Sequence, residues 1–319
     1  MKLKQLLKNK YNGIGLVFLI TVIIRISYSF CAGFLGNITG FSEGVLTLIG
    51  QFCYAIPGIV LLVFQRKDLK QTFHIKELTI PSVLLLVVVG VLMIPIMAFV
   101  NGISLLFTEN AAASIMESMA NEYSWVSMIS IMALTPAVFE ELIYRGVFFG
   151  GLRKAGLLIS VLTSAFLFGL MHMNVNQFCY AMVIGIMMAM IVEVTGSLFS
   201  TMVIHFTVNA TTTTMTYLLS KTGTKIAETA SNTTDVSKIG ILFAIMIYGV
   251  ISIFALACII ALLYVICIAE KRTEVFQSFN PFCKKILREK KPNENVFSIP
   301  MIIGILICVI LIGIIFVRQ

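Results

Sequence analysis

Nine apolar runs, each close to the length that crosses a bilayer, constrain this chain more than anything else in it. They fall at about 13–36, 44–64, 80–107, 125–150, 156–173, 177–194, 197–219, 239–268 and 297–317. A spanning helix needs about 20 apolar residues. Charged residues make up 12% of the chain, against about 25% in soluble domains, and mean hydropathy is +0.99, so no room is left for a large soluble domain. The expected fold is all-α, a polytopic membrane helix bundle of about nine spans.

The basic residues suggest an orientation. Of 23 Lys and Arg, most fall in alternate connections: Lys2 to Lys10, Arg66 to Lys76, Arg153 with Lys154, and Lys271 to Lys291. Lys221, Lys225, Lys238 and Arg318 fall on the other side, and Arg25 and Arg145 lie within spans. By the positive-inside rule this predicts an integral membrane protein with a cytoplasmic N-terminus and an outer C-terminus. The net charge of +8 is then a matter of anionic lipid at basic loops, Lys284 to Lys291 above all. No basic patch interleaved with aromatics points to nucleic acid. The basic start resembles a signal peptide, but Arg25 interrupts the first apolar run and no small-x-small site follows, so an uncleaved span is expected. The seven cysteines form no CxxC pair and read as small buried hydrophobes rather than disulfides or a metal cluster.

Polar groups are unevenly shared among the runs. The fourth to seventh hold nearly all of them, which divides the chain into N-terminal spans (1–124), a polar four-helix core (125–219) and C-terminal spans with a basic loop (220–319), the outer parts forming a lipid-facing surround. The connection Thr108 to Ser124 reads as a loop. Arg25 is expected to snorkel or pair within the bundle, His74 to be solvated, and Glu193 to be interfacial. The run Thr211 to Thr214 is expected to hydrogen-bond between helices.

Inside the fourth run stands Thr135-Pro136-Ala137-Val138-Phe139-Glu140-Glu141-Leu142-Ile143-Tyr144-Arg145. Ionised groups at bilayer depth cost about 2.5–3.5 kcal/mol each on the mildest scale, and are functional by default. Glu141 and Arg145 stand i and i+4, acid first, the favoured order for a helical ion pair. A buried structural salt bridge would account for those two and leave Glu140 unpaired. Glu140 points about 100° away from Glu141, and a desolvated, uncommitted carboxylate suits a general base.

Two of the three histidines fall in the same core. His172 closes Phe168-Gly169-Leu170-Met171-His172, and His205 with Asn209 stand i and i+4. Together with the acids they could supply a base, a proton shuttle and donors to a developing oxyanion. Glu140, His172 and His205 could also hold a divalent metal such as zinc, which the sequence does not require. Counted at about 1.5 Å per residue, Glu140 lies roughly 15 Å and His205 roughly 12 Å from the near ends of their runs, but His172 roughly 24 Å. No H-E-x-x-H and no G-x-S-x-G is present, and Gly146, Gly150 and Gly151 are not followed by the Lys-Ser/Thr of a phosphate loop.

Glu140-Glu141-x-x-x-Arg145, Phe168-x-x-x-His172 and His205-x-x-x-Asn209, in this order on successive apolar segments, resemble the CPBP or Abi family of intramembrane endopeptidases. That family includes the type II CAAX prenyl endopeptidases and bacterial bacteriocin-processing and immunity proteins. The resemblance spans about 125–212 and implies peptide-bond hydrolysis within the membrane, on a peptide or small membrane-protein substrate. It implies that Glu140 activates water with help from His172, that His205 and Asn209 stabilise the oxyanion, and that Glu141 and Arg145 support the site. Two other readings use the same residues: a non-catalytic immunity or scaffold protein that keeps the motif as a binding cavity, and an ion-coupled transporter. The transporter would want polar residues in both halves of the bundle, and the flanking runs lack them.

Overall fold

The computed structural model describes residues 10–64, 76–222, 235–278 and 295–318, and every regular element among them is helical. In chain order these are α1 (Lys10–Thr39), α2 (Glu43–Phe64), α3 (Ile80–Ser104), α4 (Ala111–Glu122), α5 (Trp125–Ala155), α6 (Leu157–Leu170), α7 (Val175–Thr195), α8 (Leu198–Lys221), α9 (Asp235–Ala269), α10 (Thr273–Ser278) and α11 (Ile299–Arg318). His74, Cys283, Lys2 to Lys8, Arg66 to Lys70, Lys225 and Lys284 to Lys291 lie outside the described residues.

All nine apolar runs become helices, and seven are long and apolar enough to cross a membrane: α1, α2, α3, α5, α7, α9 and α11. The other two differ from expectation for physical reasons. α6 has 14 residues, about 21 Å, against a hydrocarbon core of about 30 Å. α8 is long enough at 24 residues, but its serines, threonines, His205 and Asn209 dilute its hydropathy. The protein is an integral membrane protein: Ile80 and Ile299 are 77% and 74% exposed on an exterior rich in large apolar side chains, a surface suited to lipid. The connection 108–124 is not the loop its composition suggested. It contains α4, started by Asn110, whose side chain accepts the Ala113 amide at 3.2 Å.

α3 is the central strut, packed against α7, α8 and α9, while α6 pairs with α7, α11 with α1, and α1 with α2. Where α6 and α7 cross, a Cβ on Gly185 would come within 2.9 Å of the Ala165 backbone. Small residues let two backbones approach this closely when lipid supplies no hydrophobic drive. α3 also carries polar ties: Asn176 at the start of α7 donates to Asn101 Oδ1 at 2.9 Å and to Ser104 Oγ at 2.7 Å.

One end of the bundle is fastened by polar contacts. The α7–α8 turn is sunk into the protein, with Thr195 and Ser197 fully buried. It passes through Gly196 at φ +67°, a left-handed conformation that suits glycine, and the Arg272 guanidinium occupies the space a side chain there would need. Glu193 is more than interfacial: Arg153 grips its carboxylate through Nε and Nη2 at 2.9 and 2.8 Å, and Arg272 donates to its carbonyl at 3.0 Å. The threonine run mostly bonds its own helix, Thr211 to Thr207 O and Thr212 to Val208 O. Only Thr214 reaches across, accepting from Trp125 Nε1 at 2.9 Å. Cys267 and Cys308 are buried as expected, but Cys31 and Cys258 are exposed on the apolar exterior.

Glu270, just past α9, joins the same end. Its carboxylate accepts from Lys76 Nζ at 2.9 Å and from the Thr79 amide and hydroxyl at 3.0 and 3.1 Å. Burial pushes this carboxyl up, but Lys76, Thr79 and Ser82 outweigh it and hold it at about 2, below the ordinary 4.5. A depressed carboxylate contributes stability that is complete above its unfolded pKa and lost as pH falls through the folded one. Lys76 is partly exposed, so screening trims the gain to about 1–2 kcal/mol. The thermal midpoint in detergent should therefore fall between pH 4.5 and 2. Glu270→Gln should lower the midpoint at neutral pH and flatten that acid limb, and an unchanged acid limb would count against this role.

Candidate active site

The site grows out of a break in α5. Two π-helical stretches, Ser130–Leu134 and Leu142–Phe149, flank the α-helical piece Thr135–Glu141. π-bulges widen a helix and occur often at functional sites. Pro136 contributes by lacking an N–H, so the Met132 carbonyl one turn earlier is left without its usual helical partner. Asn209 of α8 takes it up, donating from Nδ2 at 3.1 Å. Thr135 Oγ1 likewise donates to the Ser130 carbonyl at 2.7 Å. A proline within an apolar run thus couples α5 to α8.

Behind the site lies a fully buried pair. Arg145 Nη1 donates to Glu141 Oε1 at 2.8 Å, and the two residues are 2% and 0% exposed. The same oxygen receives His205 Nδ1 at 2.7 Å. Among the described residues Arg145 Nη2 has no hydrogen-bond partner, and the guanidinium rests on the face of Phe168, 4.5 Å from its ring centroid.

Both histidines commit the same nitrogen. His205 donates from Nδ1 to the Glu141 carboxylate, and His172 donates from Nδ1 to the Phe168 carbonyl at 3.0 Å. A carbonyl or carboxylate oxygen only accepts, which assigns the Nδ1 proton in each ring. Nε2 is left for chemistry in both. His205 Nε2 stands 3.9 Å from Glu140 Oε2, too far for a direct hydrogen bond and close enough for one water between them.

Glu140, His172, His205 and Asn209 line a single cavity of about 900 Å³. Glu141 and Arg145 do not reach it and act through His205. The depth mismatch of His172 disappears because α5 continues to Ala155 rather than stopping near residue 150. Glu140 is then followed by fifteen residues of α5 rather than ten, and Glu140, His172 and His205 line one cavity. His172 follows the end of α6, in a turn held at cavity depth by its amide bond to Gly169 O and by Met173 at φ 53°.

Glu140, His172 and His205 do not assemble a three-ligand metal site: among the described residues no three His, Cys, Asp or Glu side chains converge on one point. No step below passes through a metal.

Two contributions were not foreseen from the sequence. Phe168 stands in the motif Phe168-x-x-x-His172 with no role of its own read from the sequence, yet its ring meets Arg145, Tyr144, His172 and His205. The signal was its place one turn before a histidine in an apolar helix. Phe168→Ala is expected to lower stability by about 3–5 kcal/mol, read as a drop in thermal midpoint, with a matching loss of activity as His172 and Arg145 lose their support. The second is the far wall of the cavity, built by α1 and α2 through Arg25, Tyr28, Gln51 and Tyr54. These helices are not only a lipid-facing surround, and the sequence hinted at this in Arg25 alone.

Residues 122–211, 90 of the 319, match the family model described as Rce1-like, type II CAAX prenyl endopeptidase Rce1-like. No curated protein and no solved structure matches the chain.

Proposed function

We propose that this chain, a CPBP-family protein over residues 122–211, is an intramembrane endopeptidase that hydrolyses a peptide bond in a membrane-associated peptide or small membrane protein. The observation that carries the reading is the convergence of Glu140, His172, His205 and Asn209 on one cavity within the bundle. A carboxylate, two imidazoles with free Nε2 atoms and a carboxamide are the parts that water-dependent acyl transfer needs.

In the proposed reaction Glu140 takes a proton from a water that His172 Nε2 helps to hold. The water oxygen bonds to the scissile carbonyl carbon, and the carbonyl oxygen becomes an oxyanion. Asn209 keeps one Nδ2 proton on Met132 O and donates the other to that oxyanion. His205 turns Nε2 toward the same oxyanion, while Glu141 accepts from Nδ1 and holds the ring in place. Arg145 offsets the charge of Glu141. Collapse breaks the C–N bond, and Glu140 returns the proton to the leaving nitrogen, giving an amine and a carboxylic acid that loses its proton to the amine or to water.

The substrate is found by comparing membrane peptidomes of cells carrying wild type and Glu140→Ala. The reaction is then tested with purified protein in liposomes and ¹⁸O-water, where one ¹⁸O should enter each new carboxylate. Asn209→Ala should lower kcat about 10²- to 10³-fold with KM little changed, as loss of one oxyanion donor does. Cleavage by Asn209→Ala at the wild-type rate would remove the oxyanion role. Partner protection that survives both substitutions without any cleavage would favour a binding protein instead.

A further inference from the structure

Two guanidinium groups lie near the middle of spanning helices, and only one is neutralised. Arg145 has Glu141. Arg25 has no carboxylate at ion-pair distance among the described residues; its partner within the bundle is Tyr54. It stands midway along α1, with fifteen residues of the helix before it and fourteen after. It lines the cavity that holds Glu140 and His172.

Its surroundings fix it there. The guanidinium carbon lies 5.4 Å from the Tyr54 ring centroid, and Tyr54 meets Tyr28 edge-on at 6.3 Å. Tyr28 in turn donates to the Leu46 carbonyl, fastening α1 to α2. One turn before Tyr54 on the same wall, Gln51 keeps a buried Oε1 with no hydrogen-bond partner among the described residues. This wall therefore holds a cation on an aromatic platform together with polar capacity that the bundle itself does not use. An uncompensated charge at this depth is costly and marks a ligand path.

The ligand must be an anion that reaches mid-membrane. A lipid headgroup stays at the interface, whereas a peptide entering the cavity carries its own carboxylate inward. A planar guanidinium pairs with a carboxylate through two parallel hydrogen bonds, which orients as well as attracts. We propose that Arg25, seated on Tyr54, is a carboxylate-binding subsite that holds the substrate peptide and sets which bond reaches Glu140. The proposal rests on the hydrolase reading of the same cavity. The carboxylate is either the peptide's C-terminus or an Asp or Glu side chain.

The test separates binding from cleavage. Fluorescent apolar peptides are prepared with a free C-terminus, with a C-terminal amide, and with Asp or Glu replaced by Asn or Gln. Their binding is measured to Glu140→Gln protein in liposomes, with Arg25 intact and as Arg25→Gln. Removing the recognised carboxylate should weaken binding about 10- to 100-fold when Arg25 is present and have no effect in Arg25→Gln. Sensitivity to amidation assigns the C-terminus, and sensitivity to Asn or Gln assigns a side chain. Arg25→Lys, which keeps the charge without the fork, should recover part of the affinity and guards against a folding defect. Equal binding of all peptides, or equal losses in Arg25→Gln for every peptide, overturns the subsite. Carboxylate-dependent binding without cleavage by the Glu140-intact protein would leave the subsite standing and sink the hydrolase reading.

Discussion

Glu140→Gln should cut peptide cleavage by about 10³- to 10⁴-fold while leaving the protein folded, a span at the upper end of what a positioned general base contributes. The substitution keeps shape and hydrogen-bonding capacity and removes only the ability to take a proton. Glu140 is partly exposed to the cavity and has no direct hydrogen bond to His205, which stands at 3.9 Å. No buried partner is orphaned, so the thermal midpoint should stay within a degree or two of wild type. Steady-state cleavage in liposomes alongside thermal unfolding in detergent would measure both. Wild-type turnover by folded Glu140→Gln protein would remove Glu140 from the chemistry and leave His172 Nε2 as the base.

The pair behind the site should behave in the opposite way. Arg145→Met leaves the Glu141 carboxylate buried without its cation, and breaking a buried pair in this way costs about 3–5 kcal/mol. Some of that loss is the cation–π contact with Phe168. Pairing Arg145→Met with Glu141→Gln removes both charges and should restore much of the stability. Activity should not return, because His205 then has a neutral amide at Nδ1 in place of the carboxylate that holds its ring. Denaturant unfolding of the two single variants and the double, read as a double-mutant cycle, isolates the coupling. A double variant as unstable as Arg145→Met alone would mean that packing, and not charge, governs this pair.

Together these variants separate two carboxylates that are neighbours in the chain. Consecutive helical residues point about 100° apart, and here the difference puts Glu140 on the cavity wall and Glu141 out of contact with any solvent. One acid is available to react, and the other holds a histidine in place. The residue that follows Glu141 by four decides which is which, since only Glu141 can reach Arg145 along the helix.

Much of this was legible in the chain. Apolar runs of bilayer length dictate helices, because a lipid-embedded backbone must bond to itself. The i, i+4 spacing of Glu141 with Arg145 and of His205 with Asn209 puts each pair on one helix face whatever surrounds it. What spacing along one helix does not specify is contact between helices. That His205 spends Nδ1 on Glu141, that Asn209 caps the carbonyl released by Pro136, and that α6 stops short so His172 turns back at the depth of Glu140 all depend on how α5, α6 and α8 pack. Arg25 lies more than a hundred residues from the motif, and only the packing of α1 and α2 against the core brings it to the same cavity. Local periodicity selects the helices and their polar faces; which faces meet is decided by close packing and by the need of each buried polar group for a partner.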